Sequence, residues 1–245
     1  MTRLPLSTAL ATLLAIALPA SAQEAGDDPA WAVTGKVVAA SDYVWRGVSQ
    51  TTGDPALQLE AYLEHASGFY VGGMGSNVDY GDSEDGISHE LNLYLGWAGE
   101  LGESTELDVF LSRVAYPGHN GPDYDIDYTE VEAALTFAGQ YRLGMAYSPD
   151  IFNLGGHGLY WYAGADLPLG ESGFTLGAQA GHYDLDAAAG DSYSDWMLSL
   201  GRDFGPINAS VQYTGTSGYS DLLAESVGDR SWASRRATLL LTWEF

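Results

Sequence analysis

From residue 31 onward, apolar and polar positions alternate in short segments broken by clusters of Gly, Asp, Ser and Pro. A period of two marks a half-buried strand, because successive side chains leave opposite faces. In the first segment Trp31, Val33, Val37, Ala39, Tyr43 and Trp45 share one face, and Thr34, Lys36, Asp42 and Arg46 share the other. Segment 56–65 sets Leu57, Leu59, Ala61 and Leu63 against Gln58, Glu60, Tyr62 and Glu64. Segment 89–98 sets Leu91, Leu93, Leu95 and Trp97 against Glu90, Asn92 and Tyr94, and 105–114 sets Leu107, Val109 and Leu111 against Glu106, Asp108 and Ser112. The same alternation runs through 129–138, 141–148, 207–214 and 236–245, with Glu130, Glu132, Arg142, Arg236 and Glu244 on the polar faces. Weaker strands fall at 69–78, 158–167, 174–183 and 195–204, where glycines blur the phase. The reading gives twelve strands.

The links between them alternate strictly in length. Ala66 to Gly68, Gly99 to Ser104, Gly139-Gln140, Leu169 to Gly173 and Gly205-Pro206 are short, whereas Val48 to Pro55, Asp79 to Ser88, Ala115 to Tyr128, Pro149 to His157, Asp184 to Ser194 and Gly215 to Arg235 are long and polar. That rhythm predicts an all-β fold, a transmembrane antiparallel up-and-down barrel of outer-membrane type, with tight periplasmic turns and longer external loops. Only a closed barrel leaves no strand edge unpaired in hydrocarbon, and strands of about ten residues suffice to cross when tilted. Two aromatic girdles are expected at headgroup depth. One comprises Trp31, Phe69, Trp97, Phe137, Tyr141, Phe174, Phe204, Trp243 and Phe245, the other Tyr43, Trp45, Tyr116, Tyr147 and Trp196. Prolines after residue 22 keep to links and strand ends, where no ladder donor is lost.

Ahead of the strands, Arg3, the apolar stretch Leu6 to Leu18 and the small residues Ala20-Ser21-Ala22 form a secretory signal peptide, residues 1–22. It leaves 23–245 as a single barrel domain exported to the outer membrane of a Gram-negative bacterium. The chain of 245 residues has no cysteine, which excludes disulfides, thiolate metal sites and a thiol nucleophile. A net charge of -24 excludes nucleic acid as a partner, since phosphate recognition needs a basic surface.

If the apolar faces meet lipid, the polar faces line a lumen. The candidate lining residues are Lys36, Asp42, Arg46, Glu60, Glu64, Glu90, Asp108, Glu130, Glu132 and Arg142, with Glu106, Asp166, Arg236 and Glu244 beside them. Acids outnumber bases, and a charged passage through low-dielectric walls focuses its field, so cations are favoured. Asp42, Arg46, Glu60 and Glu64 are expected to form a cross-lumen ion-pair ladder in which Arg46 sets a constriction. No enzyme is expected. The histidines at 65, 89, 119, 157 and 182 are scattered, no GxSxG elbow occurs, and a barrel lipase would need a Ser–His pair on neighbouring strands, for which only His89 or His182 offers itself. No cofactor or metal is expected. The acidic runs Asp79 to Asp85 and Asp123 to Asp127 read as solvated loops, the second lacking the Gly of an EF-hand where Tyr128 stands.

The runs Ser41-Asp42-Tyr43-Val44-Trp45-Arg46-Gly47-Val48-Ser49-Gln50-Thr51, Pro55-Ala56-Leu57-Gln58, Ser67-Gly68-Phe69-Tyr70-Val71-Gly72 and Gly75-Ser76-Asn77-Val78 resemble the opening of the TorF family of proteobacterial porins, and the final Leu-Thr-Trp-Glu-Phe is similar to the closing strand of outer-membrane barrels. The resemblance implies an outer-membrane channel and assigns no functional residue. The expected function is therefore passive diffusion of small polar solutes with a cation preference. The alternative is a closed barrel acting through its loops as adhesin, receptor or structural wall protein. Expected partners are outer-membrane lipid and lipopolysaccharide, small polar solutes or cations, and the barrel-assembly machinery through the C-terminal strand.

Overall fold

In a computed structural model the described residues are 30–81 and 85–245; the proposed leader 1–22 and Asp82, Ser83 and Glu84 of the first acidic run lie outside them. The strands are β1 (Trp31–Ala40), β2 (Val44–Trp45), β3 (Val48–Ser49), β4 (Ala56–His65), β5 (Phe69–Asn77), β6 (His89–Glu100), β7 (Thr105–Ala115) and β8 (Tyr128–Phe137). They continue with β9 (Tyr141–Ser148), β10 (Gly158–Pro168), β11 (Phe174–Asp184), β12 (Ser192–Phe204), β13 (Ile207–Ser217) and β14 (Arg236–Glu244). Twelve of them close into a barrel in the order β1-β14-β13-β12-β11-β10-β9-β8-β7-β6-β5-β4, each neighbour antiparallel. No helix among the described residues is long and apolar enough to cross a membrane, and the longer of the two, α2 (Asp221–Ser226), belongs to the last long loop. It follows α1 (Asp186–Ala189) in the preceding loop.

The faces sort as the alternation dictates. Val33, Leu57, Leu93 and Leu239 are 68%, 62%, 69% and 61% exposed, while Glu60, Glu90, Glu130 and Glu132 are buried inside. An exterior of leucine and valine around an ionic interior inverts the order of a water-soluble domain and fits acyl chains as the outer solvent. Trp31, Phe69, Tyr141, Phe204, Trp243 and Phe245 stand exposed at the short-turn end, and Tyr147, Trp161 and Tyr213 toward the other.

The glycines that interrupt the alternation have a packing role. Inward-facing Gly72, Gly96, Gly144 and Gly181 each lie under a tyrosine ring, those of Tyr62, Tyr70, Tyr162 and Tyr160, and an added Cβ would overlap the ring at every one of them. Flat against the wall, the rings stack on one another rather than crossing the barrel, Tyr62 with Tyr94 at 5.8 Å and Tyr160 with Tyr162 at 5.7 Å between centroids.

The seam that closes the cylinder is short. β1 pairs with β4 along its whole length, from Trp31↔His65 to Ala40↔Ala56, but with β14 only from Lys36↔Glu244 to Ala40↔Leu240. Gly35 and Phe245 add one reciprocal pair of 2.9 Å hydrogen bonds.

One expectation of the pattern fails. The first wall strand ends at Ala40, and the chain bends through Ser41-Asp42 into the barrel, where β2 and β3 form a two-stranded hairpin. Tyr43, read as part of the outer girdle, is buried inside, Trp45 packs inward against Phe152 and Tyr183, and Tyr116 is likewise buried. The alternation runs on past Ala40 because the hairpin is itself extended backbone. What turns it inward is its polar content, which lipid would leave unpaired and the lumen satisfies.

Candidate functional site

The run Ser41–Thr51 lies across the long-loop end of the lumen. Its tip is a tight turn at Arg46 and Gly47, with φ of 47° and 79°. Left-handed backbone suits Gly47, whose missing side chain also leaves space that Asp195 of β12 and Thr216 of β13 would otherwise contest. At the base, Asp42 accepts hydrogen bonds from Ser49 Oγ at 2.6 Å and Thr51 Oγ1 at 3.0 Å and pairs with Arg236 at 2.7 Å. Tyr43 donates to Glu90 at 3.1 Å, the Ser49 amide to Trp232 O at 2.9 Å, and Tyr80 to Gln50 Oε1 at 3.0 Å. At the tip, Arg46 Nη1 and Nη2 donate to Glu130 at 3.0 and 2.7 Å, and Tyr193 donates to the Arg46 carbonyl at 3.1 Å. The hairpin is thus a crossbar from β1 and β14 to β8 and β12.

The expected ladder is not what forms. Arg46 pairs with Glu130 rather than with Glu60 or Glu64, Asp42 with Arg236, Glu60 with Lys36 at 3.2 Å, and Glu64 accepts from Thr34 at 2.7 Å. The cause is the bend after Ala40, which carries Asp42 and Arg46 out of the wall and past the strand they were expected to face. Arg142 completes the set by facing Asp166 at 3.6 Å. Every one of the four inward bases therefore has a carboxylate.

Four further acids take tyrosine hydroxyls. Glu90 accepts from Tyr43 and from Tyr116, each at 3.1 Å, Asp108 from Tyr70 at 2.8 Å, and Glu132 from Tyr162 at 3.0 Å. Asp195, an inward acid absent from the sequence-based set, accepts from Tyr160 at 3.2 Å. It sits on β12, whose start at Ser192 lies three positions ahead of the expected strand, and there the alternation is weak. Phenolic donors hold these carboxyl groups in place.

Burial divides the lumen in two. Toward the long loops Ser49, Thr51, Asn92, Ser112, Tyr183, Tyr193 and Glu130 are buried, and the enclosed space lined by Tyr43, Trp45, Glu90, Asn92, Tyr116 and Glu130 is about 10 Å³, too small for more than one water. Toward the short turns Lys36, Glu64, Asp108, Arg142, Asp166 and Glu244 are partly exposed and Glu106 is exposed. Charged side chains are thus more open at the short-turn end than beside the crossbar.

On the outside, His182 Nδ1 lies 2.9 Å from Ser194 Oγ across β11 and β12, with the imidazole tilted on Trp161 at 4.6 Å. The pair has no carboxylate to orient the ring among the described residues, so it lacks the third member of a nucleophilic triad. In the loops Asp127 is committed to the Tyr116 amide at 2.7 Å and to Arg113 at 2.9 Å. No cluster of three potential metal ligands occurs among the described residues.

The barrel is similar to solved porins. It superposes on the KdgM porin with a TM-score of 0.52 at 7% identity, covering 86% of this chain and 98% of that one. A KdgM porin in complex with disordered oligogalacturonate gives 0.51 at 8%, covering 87% and 98%. The NanC porin gives 0.52 at 11%, covering 87% and 99%. The fold is that of outer-membrane porins. No curated protein matches the sequence. The model of a family described as "Bacterial protein of unknown function (Gcw_chp)" matches residues 24–245.

Proposed function

The chain belongs to the Gcw_chp family of bacterial proteins, whose function is unknown, and we propose that it is an outer-membrane channel through which small polar solutes diffuse, with a preference for cations. The observation that carries this reading is the charge balance of the lumen: all four inward bases have paired carboxylates, while Glu64, Glu90, Asp108, Glu132 and Asp195 form no ion pair among the described residues. Surplus negative charge in a narrow, low-dielectric passage attracts cations and repels anions. A polyanion such as the oligogalacturonate held by a KdgM structure is a poor fit to such a wall. The crossbar is the constriction, and Arg46 its central residue. The likeness of Ser41–Thr51 to TorF porins supports the same reading. So do the exposed leucine belt and the aromatic final strand, which suit outer-membrane lipid, lipopolysaccharide and the assembly machinery as partners after cleavage of a leader.

Reconstitution in a planar bilayer under a salt gradient tests this. Discrete conductance with a reversal potential of cation-selective sign is the expected result. An anion-selective sign overturns the preference. The filled long-loop half favours a second reading, a closed barrel that acts through its loops as adhesin, receptor or wall protein. Absence of conductance at any voltage would leave that reading in place of the first.

A further inference from the structure

Arg46 is enclosed as a ligand would be. Besides the two hydrogen bonds to Glu130, its Cζ lies 4.3 Å from the Tyr160 ring centroid, 4.6 Å from that of Tyr183 and 4.1 Å from that of Trp45. Bidentate carboxylate pairing and stacking on ring faces are the two modes by which a planar guanidinium is recognised in preference to an ammonium. Among the described residues no other inward base is capped by ring faces.

Apart from Trp45, the enclosure belongs to the wall. Glu130 stands on β8, Tyr160 on β10, Tyr183 on β11 and Asp195 on β12. Tyr160, Tyr183 and Asp195 are held by contacts that do not involve Arg46. Tyr160 donates to Asp195 Oδ1 at 3.2 Å, lies over Gly181 and meets Tyr183 edge-on at 5.6 Å, and the second Asp195 oxygen is buried with no hydrogen-bond partner among the described residues. A bidentate carboxylate and two ring faces held by the wall, with Asp195 fixing the Tyr160 ring, make a preorganised receptor for one planar cation.

Arg46 is also a costly way merely to fill space. It sits at positive φ, where a non-glycine residue is strained, and buries a charge that apolar packing could replace at no loss of stability. We propose that Glu130, Tyr160, Tyr183 and Asp195 form a binding site for guanidinium-bearing organic cations passing through the lumen, and that Arg46 is its tethered occupant. This rests on the channel reading for its physiological meaning, though the site itself is defined by the wall.

The test uses R46A and, should that variant fail to fold, R46Q, with heat-modifiable migration on gels to verify the barrel. In planar bilayers the variants conduct more than the wild type, and methylguanidinium blocks them at a concentration about tenfold lower, because a tether holds Arg46 at millimolar effective concentration or above. Methylammonium blocks weakly, and E130Q added to R46A abolishes the methylguanidinium block. Equal block of wild type and variant, or block that survives E130Q, overturns the site while leaving the channel intact. If neither protein conducts, the channel reading fails, and thermal unfolding in detergent decides the site alone: millimolar methylguanidinium raises the Tm of R46A but not of R46A/E130Q, and no difference between them refutes the proposal.

Discussion

Inward glycines and the tyrosines above them are the unit from which this lumen is built. At Gly144 the Tyr162 ring lies where a side chain would go, and the same ring carries the hydroxyl that holds Glu132 at 3.0 Å. Gly144→Ala must push the ring off the wall and break that bond. Overpacking of this kind costs about 1–3 kcal/mol. The expected outcome is a barrel that still inserts but unfolds at lower urea, with tyrosine fluorescence altered, and an unchanged midpoint would deny the ring its structural role. Outward-facing Gly73 and Gly75 carry no such ring, so Gly75→Ala is the internal control. In the sequence these glycines read only as gaps in a period-two pattern. Nothing in a single chain distinguishes a gap from a seat, because the ring that fills it comes from the neighbouring strand and one must know the register to see it.

Among the elements, the wall strands and the crossbar differ in what specifies them. The wall was legible: β4 and β9 match their sequence-derived bounds, Ala56–His65 and Tyr141–Ser148, since one face must be apolar and the other polar for the length of the membrane. The crossbar was not, since Tyr43 and Trp45 continue the alternation of β1 and differ from wall residues only in their destination. The residue types of the site were legible as inward charges, whereas their partners were not, because Arg46 and Glu130 are 84 positions apart and meet only after the bend. Replacing Asp42–Thr51 by a flexible Gly-Ser linker of equal length removes the crossbar and leaves the strand pairs untouched. It is expected to raise single-channel conductance several-fold without loss of the folded, heat-modifiable form. Conductance equal to that of the wild type would show that the narrow point lies elsewhere, with α2 and the loop bearing Trp232 the next elements over that end.

For the molecule as a whole, the proposed channel would draw its selectivity from the summed field of the inward acids rather than from any one of them. Its carboxylates at the short-turn end are partly open to water, so mobile ions screen them. Cation preference is therefore expected to be strong at about 0.1 M salt, where the Debye length is about 10 Å, and to decline toward 1 M, where it is about 3 Å. Reversal potentials measured at a fixed concentration ratio across that range give the answer, and a preference indifferent to ionic strength would point instead to a single dehydrated filter. Wide separation of the acids along β4, β6, β7, β8 and β12 also predicts that single substitutions shift the reversal potential only slightly.

The brief register between β1 and β14 has a mechanical meaning. A cylinder is as strong as its least bonded hoop, and here Trp31–Thr34 have a ladder partner in β4 but none in β14. Under lateral tension the wall is expected to part first along that line, from the short-turn rim inward, with the Phe245–Gly35 pair the first rivet to give.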